Sequence, residues 1–365
     1  MTVTETIDLL SLTPDQLRDE LSAYFSERGQ PAYRVGQVER WVWEGLAADL
    51  EEMTDLPADE RAAMAERFAL AEPETAKVAV SSDGTVKHLW RLADGELVES
   101  VLIPTETRLT LCISSQAGCA MGCTFCATGW GGFARQLTPG EIVSQYRASR
   151  RWAEEDGRGP ITNIVFMGMG EPLSNRKALH PALTILNHGY DVGARRITVS
   201  TVGVVPGILE LADRPEQFGL AVSLHAPETG LRRELIPLEK RHPLPELMEA
   251  LRAFDARGGR RITFEYTMID GINDDLELAP KLADLAGEAG GAFVNLIPFN
   301  PIPYQDWKPS PMARIRQFAD ILEARGVSAA VRETRGRDID AACGQLRGHV
   351  LTQIEGAKGP EAEGG

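Results

Sequence analysis

The stretch LTLCISSQAGCAMGCTFC, residues 109–126, decides how this chain is read. Its opening run, Leu109–Ile113, is apolar and β-prone, and it has the length of a buried strand. The loop that follows carries Cys119, Cys123 and Cys126 in a C-x3-C-x2-C spacing. Cys112 lies in the strand itself, and the fifth cysteine is Cys343. Five is an odd number, and four of the five fall within fifteen residues. A disulfide framework spreads its cysteines more evenly. The usage reads as a reducing compartment, the cytoplasm, with the thiols kept for a metal or for chemistry.

Outward from this stretch, the pattern of strand, loop and helix repeats. Strands are expected over 162–167, 196–200, 220–224, 263–269 and 293–297, with a possible seventh over 328–332. Helices fall between them. One spans 139–152 and opens with the capping pair Thr138 and Glu141; another spans 244–256. Strands that alternate with helices of this length form parallel βα units. Six or seven units fall short of the eight in a closed barrel. The expectation is an α/β fold, an incomplete (β/α)6 TIM-like barrel over 105–350, rather than an open doubly wound sheet. Before it, Thr13, Pro14 and Gln16 start a helix whose apolar residues are Leu17, Leu21 and Phe25. Further helices are expected over 35–46 and 58–68. These make 1–75 a small helical accessory domain, read as RNA-binding. Residues 76–104 change to a period of two, through Val78, Val80, Val86, His88 and Trp90, with turns at 82–84 and 93–95. That segment is a β-meander extension. The Gly- and charge-rich tail, 351–365, is expected to be disordered.

Composition narrows the class. The chain has 365 residues, 43% hydrophobic and 25% charged, which is ordinary globular usage. No apolar run approaches the roughly 18 residues of a membrane span. The start lacks a basic n-region, so a secretory signal is not expected. Collagen-like, small disulfide-rich and membrane classes are excluded. The net charge of −15 argues by itself against a nucleic-acid partner. Most of it lies in residues 1–100, however, which leaves the remainder near neutral. That part carries basic pairs at Arg150/Arg151, Arg195/Arg196, Arg232/Arg233, Lys240/Arg241 and Arg260/Arg261, candidates for phosphate contact.

Three thiolates on one short loop suit either of two centres. A structural zinc takes four ligands, with Cys112 as the fourth. A four-iron cube held by three cysteines leaves one iron free to bind a small molecule. Other residues favour the second reading. Phe125 stands ready to shield such a cluster from water. Gly168, Gly170 and Glu171, in MGMGEP after the second strand, let backbone approach a small ligand and offer an acceptor to an ammonium group. Ser200, Ser223, Leu224, His225 and Asn300 fall at or just beyond later strand ends. In a barrel all these loops open on one rim, where ligand chemistry is done. Taken singly, Ser200 and Ser223 also read as helix caps, His225 as a core histidine, Glu99 as a surface glutamate, Cys112 as a buried thiol and Cys343 as a small filler. The glycines around Cys343 make its loop read as flexible.

Together these stretches resemble the radical SAM superfamily. More narrowly, CISSQAGC (112–119), FMGMGEP (166–172), SLH (223–225), LIPFN (296–300), CGQL (343–346) and RVGQ (34–37) are similar to the dual-specificity ribosomal and transfer RNA adenine C2-methyltransferases, RlmN. The resemblance covers almost the whole chain. It implies one [4Fe-4S] cluster on Cys119, Cys123 and Cys126. It implies S-adenosylmethionine (SAM), two per turnover, contacted by Gly170, Glu171, Ser200, Ser223, Leu224, His225 and Asn300. The first SAM methylates Cys343; the second yields a deoxyadenosyl radical that takes hydrogen from that methyl group. The methylene radical adds to adenine, loss of an electron and of a proton, which Glu99 accepts, leaves protein and RNA covalently joined, and Cys112 resolves the adduct through a transient disulfide. The implied substrates are an adenosine of 23S rRNA and the adenosine beside the anticodon in tRNA. The base must leave its stack to reach such a centre. A flavodoxin- or ferredoxin-like reductant, a monomeric state and no membrane are implied with it. Two other readings stand beside this one: a relative of the Cfr type that methylates adenine C8, and a zinc-stabilised RNA-binding module without catalysis.

Overall fold

The computed structural model describes residues 6–346, so the expected tail over 351–365 lies outside the described residues. Three helices open the chain: α1 (Pro14–Glu27), α2 (Tyr33–Trp43) and α3 (Ala58–Ala65). The α1 capping box forms as the sequence requires: Thr13 Oγ1 accepts from the Gln16 amide, and the Gln16 side chain accepts from the Thr13 amide at 3.0 Å. Both α2 and α3 end three residues before the expected limits. Leu17, Leu21, Phe25, Val38, Val42 and Met64 form a local core between them.

Ten strands then build one sheet in chain order. They are β1 (Glu74–Val80), β2 (Val86–Arg91), β3 (Leu97–Pro104), β4 (Leu109–Cys112) and β5 (Asn163–Phe166). The rest are β6 (Ile197–Thr201), β7 (Gly219–Ser223), β8 (Thr263–Met268), β9 (Phe293–Pro298) and β10 (Ala329–Val331). β1 to β4 pair antiparallel, and every pairing from β4 to β10 is parallel. A helix crosses between each pair of parallel strands: α4 (Pro139–Glu155), α5 (Arg176–Thr184), α6 (Val205–Ala212), α7 (Leu244–Ala256), α8 (Leu278–Glu288) and α9 (Met312–Ala324). The result is six βα units and a terminal strand, a partial barrel with the meander added beside β4.

The alternation along the strands has a meaning that the sequence leaves open. In β8, Phe264, Tyr266 and Met268 are buried in the main core, while Thr263, Glu265 and Thr267 line cavities inside the curved sheet. Thr110, Asn163, Thr198 and Asn295 join them there. Apolar side chains therefore pack against the helix layer, and the polar set faces the lumen. A closed eight-stranded barrel fills its interior with side chains; this open one keeps an interior space of about 780 Å³ with both polar and apolar lining.

Arg147 ties the N-terminal helices to the barrel. It is fully buried in α4, donating to the carbonyls of Val42 and Ala47, to the Glu72 carboxylate and, at 2.8 Å, to the Tyr190 hydroxyl. Its neighbours Arg150 and Arg151 are paired with Glu154 and Glu72, both at 2.8 Å. That basic pair serves the fold and is not a free phosphate contact.

Candidate active site

The loop after β4 is framed before any ligand is considered. Gln116–Gly118 pairs antiparallel with Phe133–Gln136 and closes the segment between them. Inside it, the Cys119 amide donates to the Gly132 carbonyl at 2.8 Å, and the Cys126 amide to the Cys123 carbonyl at 3.2 Å. The Thr124 amide reaches the Leu235 carbonyl at 3.1 Å, which docks the loop on the short helix Thr229–Leu235 that follows β7.

Cys119, Cys123 and Cys126 all line one cavity at the C-terminal rim. Burial pushes the Cys119 thiol up to about 12 and raises Cys123 as well, with the neighbouring thiols adding to the rise at Cys123. Thiols so placed ionise against bound cations, as metal ligation requires. Among the described residues no three His, Cys, Asp or Glu side chains converge on a single ion. A tetrahedral zinc, with sulfur bonds of roughly 2.3 Å, needs such convergence. Cys112, the fourth ligand of the zinc reading, does not line this cavity. With Cys112 outside the cavity the three thiols stand one ligand short of a closed structural zinc site, and they fit an iron–sulfur cube that leaves one iron open.

The rest of the rim assembles around the same cavity: Gly170, Glu171, Ser200, Ser223, His225, Asn300 and Cys343. Gly170 has φ +99°, and a Cβ there would stand 2.5 Å from Gln116 Cβ, so the turn admits only glycine. Glu171 is buried; its two oxygens accept from the amides of Leu173 at 3.0 Å and Val202 at 2.8 Å. Burial outweighs these bonds and lifts its carboxyl to about 7. A cationic ligand group beside it would restore the charge. Ser200 and Ser223 do not cap helices. Thr201 Oγ1 accepts from the amides of Gly203 and Val204 in the turn before α6, whose N-terminus has no side-chain cap among the described residues. His225 has φ +57°, and its Nδ1 accepts from the Thr267 amide at 2.9 Å. Burial, reinforced by Arg232, drops its pKa to about 3, so the ring is neutral with its proton on Nε2. Phe125 packs edge-on against it at 4.3 Å. Leu224 departs from the expected set: it is fully buried in the apolar core, its amide bonds to the Glu265 carbonyl, and it does not line the cavity.

Cys343 is exposed and lines both the rim cavity and the lumen below it. The sequence reads its loop as flexible, yet the structure ties it down at several points. Asp338 accepts from Ser81 Oγ at 2.5 Å and from the Ser82 amide at 3.0 Å. Asp83 accepts from the Gly336 amide at 2.9 Å, and Lys87 donates to the Asp340 carbonyl at 3.0 Å. At the other end Asn300 donates to the Cys343 carbonyl at 3.1 Å, and the Ala127 amide to the Gly344 carbonyl at 2.7 Å. Cys112 is buried at the end of β4 and shares a small cavity with Cys343. All five cysteines are free thiols in this state. Glu99 is buried on β3, 3.2 Å from Lys87, and lies outside these cavities.

Sequence reasoning missed three polar residues beside Cys343: Arg332, Glu265 and Asn295. Each sits within a predicted strand, where an alternating polar residue reads as solvent-facing. It also offered Arg232 to RNA. The structure withdraws that residue, which is fully buried in an ion pair with Glu239. Arg233, Lys240 and Arg241 remain exposed on the same rim.

Comparison with known proteins agrees with this assembly. Residues 113–279 match the model of the radical SAM superfamily, and residues 7–70 that of the ribosomal RNA large subunit methyltransferase N-terminal domain. A probable dual-specificity RNA methyltransferase RlmN of Gemmatimonas aurantiaca is 49% identical, over 93% of this chain and 93% of that protein. The dual-specificity RNA methyltransferase RlmN of an Anaeromyxobacter species is 48% identical over 93% and 90%. The crystal structure of a radical SAM methyltransferase from Sphaerobacter thermophilus superposes with a TM-score of 0.88 at 46% identity. It covers 94% of this chain and 99% of that one. These likenesses favour the dual-specificity reading, give no support to the C8-methylating alternative and displace the zinc-stabilised binding module.

Proposed function

The chain belongs to the dual-specificity RNA methyltransferase RlmN family within the radical SAM superfamily, and from that premise we propose the reaction its own residues carry. It is a SAM-dependent RNA methyltransferase. Its product is adenine methylated at C2, in 23S rRNA and beside the tRNA anticodon. Cys119, Cys123 and Cys126 hold a [4Fe-4S] cluster. Gly170, Glu171, Ser200, Ser223, His225 and Asn300 hold SAM, two of which are used per turnover. Bound together, cluster and SAM supply one electron and a carbon radical able to take hydrogen from a methyl group.

Cys343 is the methyl carrier, and a single observation carries this reading: the thiol faces both the rim cavity and the lumen. A group that is loaded on one side and delivers on the other has to stand at that junction. Cys112 is the resolving thiol. Its S–H bond breaks and its sulfur bonds to that of Cys343 while the Cys343 sulfur–carbon bond breaks; the electron pair leaves on the methylene carbon, which takes up a proton and becomes the methyl group of the base. The disulfide so formed is transient. Glu99 takes the C2 proton; what supports it is its place one strand from Cys112 and its link through Lys87 to the Cys343 loop. The reductant is a flavodoxin- or ferredoxin-like protein, and the enzyme acts as a cytoplasmic monomer.

Anaerobic reconstitution tests the reading. Protein holding about four irons and four sulfides is expected to carry a methyl group on the Cys343 peptide by mass analysis. Nucleosides from the treated RNA are expected to contain 2-methyladenosine; 8-methyladenosine refutes the regiochemistry. Cys112→Ala is expected to accumulate protein–RNA adduct, and normal product release by that variant refutes the resolving role.

A further inference from the structure

A cysteine accepts a methyl group as its thiolate, so its proton has to go somewhere. The residues around Cys343 contain an acceptor and a counter-ion. The small cavity shared by Cys112 and Cys343 has mostly apolar walls, and among the described residues Arg332 is its only charged lining residue. Arg332 is fixed by its backbone, whose amide donates to the Leu296 carbonyl at 2.8 Å. Its Nη1 stands 3.9 Å from Glu265 Oε2. The other carboxylate oxygen, Oε1, accepts from Asn295 Nδ2 at 2.9 Å, whereas Oε2 is buried and has no hydrogen-bond partner among the described residues. Glu265 and Arg332 also line both cavities that Cys343 faces. A buried carboxylate with an open acceptor position thus lines the same two cavities as the methyl carrier, and Arg332 is the cation common to both groups.

We propose that Glu265 and Arg332 ionise Cys343: Glu265 takes the thiol proton, and Arg332 holds the thiolate while it accepts its methyl group. The inference rests on the reading of Cys343 as methyl carrier and adds the base which that step lacks. The Cys343 S–H bond breaks and an O–H bond forms on Glu265. The thiolate pair forms the new S–CH3 bond, and the donor's sulfonium–methyl bond breaks with its pair leaving on the donor sulfur as a neutral thioether. No oxidant or reductant enters. The electrostatics point the same way. Cys343 is the largest cause holding the Arg332 guanidinium above its ordinary value, and burial raises the Glu265 carboxyl toward proton uptake.

The test reads nucleophilicity directly, without RNA or turnover: the rate at which iodoacetamide alkylates Cys343, followed by peptide mass analysis. Arg332→Met and Glu265→Gln are each expected to slow alkylation about tenfold, the effect of one pKa unit. Arg332→Lys, which keeps the charge, is expected to recover most of the rate. Wild-type alkylation in both Arg332→Met and Glu265→Gln overturns the proposal. So does a pattern in which Arg332→Met leaves alkylation intact and raises only the KM for RNA, which makes Arg332 an RNA contact. Glu265→Gln is isosteric and keeps the test informative if Arg332→Met fails to fold. Wild-type protein whose Cys343 alkylates readily yet never carries a methyl group refutes the functional reading and leaves this one standing.

Discussion

Two loops meet over the rim cavity, and they are built in opposite ways. The loop after β4 is framed mainly by its neighbours in sequence. Its thiols lie within eight residues, its closing ribbon uses Gln116–Gly118 and Phe133–Gln136, and two of its fixing hydrogen bonds join residues of 119–132. The loop after β10 is framed from far away. Ser81, Ser82, Asp83 and Lys87, some 250 positions earlier, hold residues 336–340, and Asn300 holds Cys343 itself. A cluster site needs fixed spacing, which a short segment supplies. A thiol that serves two cavities needs a place in the fold, which only tertiary contacts supply.

The largest expected effect tests whether the two loops are independent. Cys123→Ser is expected to lose iron, sulfide and all turnover. Cys343→Ala is expected to lose turnover equally while keeping its full iron content and its brown colour. Iron loss in Cys343→Ala would show that the second loop helps build the first, and the contrast between them would fail.

The same contrast explains what the sequence made legible. Parallel strands and helices declare themselves through period and punctuation, so the seven barrel strands and both capping boxes stand within a few residues of expectation. The cysteine spacing is local and equally plain. Arg332, Glu265 and Asn295 were hidden because alternation tells which residues share a face and not which face is wet. In this barrel the polar face turns inward. Arg232 was misjudged for a related reason. Charged residues in a helix read as solvated, and only the fold shows the carbonyls and carboxylates that surround them. Leu224 was carried with its neighbours Ser223 and His225, although strand geometry points adjacent side chains to opposite faces.

A smaller effect tests the long-range tether. Asp338→Ala removes the acceptor for Ser81 Oγ and the Ser82 amide, leaving the cluster loop untouched. Hydrogen exchange over 336–344 is expected to quicken while that over 116–132 stays as in the parent. Turnover is expected to fall about tenfold, short of the roughly hundredfold that a 1 Å misplacement can cost. Unchanged exchange in 336–344 would mean that the hairpin contacts do not hold the carrier thiol.

A further effect comes from beneath the tether and depends on pH. His88 follows Lys87 on β2; it is fully buried, stacks on Trp90 at 4.7 Å and meets Trp152 of α4 at 5.0 Å. Neither ring nitrogen has a hydrogen-bond partner among the described residues. Burial, helped by Arg158, lowers its pKa from 6.5 to about 4. The folded state therefore binds this proton less readily than the unfolded chain. The neutral ring's contribution is complete above pH 6.5 and is lost as pH falls toward 4, on the order of 3 kcal/mol over that window. Glu171 works in the opposite sense, because its carboxyl is raised to about 7 and burial of its charge weakens the fold above the ordinary carboxylate range. Comparison with His88→Phe cancels every group except His88. The parent is expected to lose stability relative to this variant between pH 6.5 and 4, measured by chemical denaturation at each pH. Exchange in β2 and in 336–340 is expected to rise before exchange in 116–132 does. Parallel stability curves for the two proteins would mean that His88 keeps its ordinary proton affinity, and that the ledge under the carrier loop is no weaker in acid than the ground under the cluster.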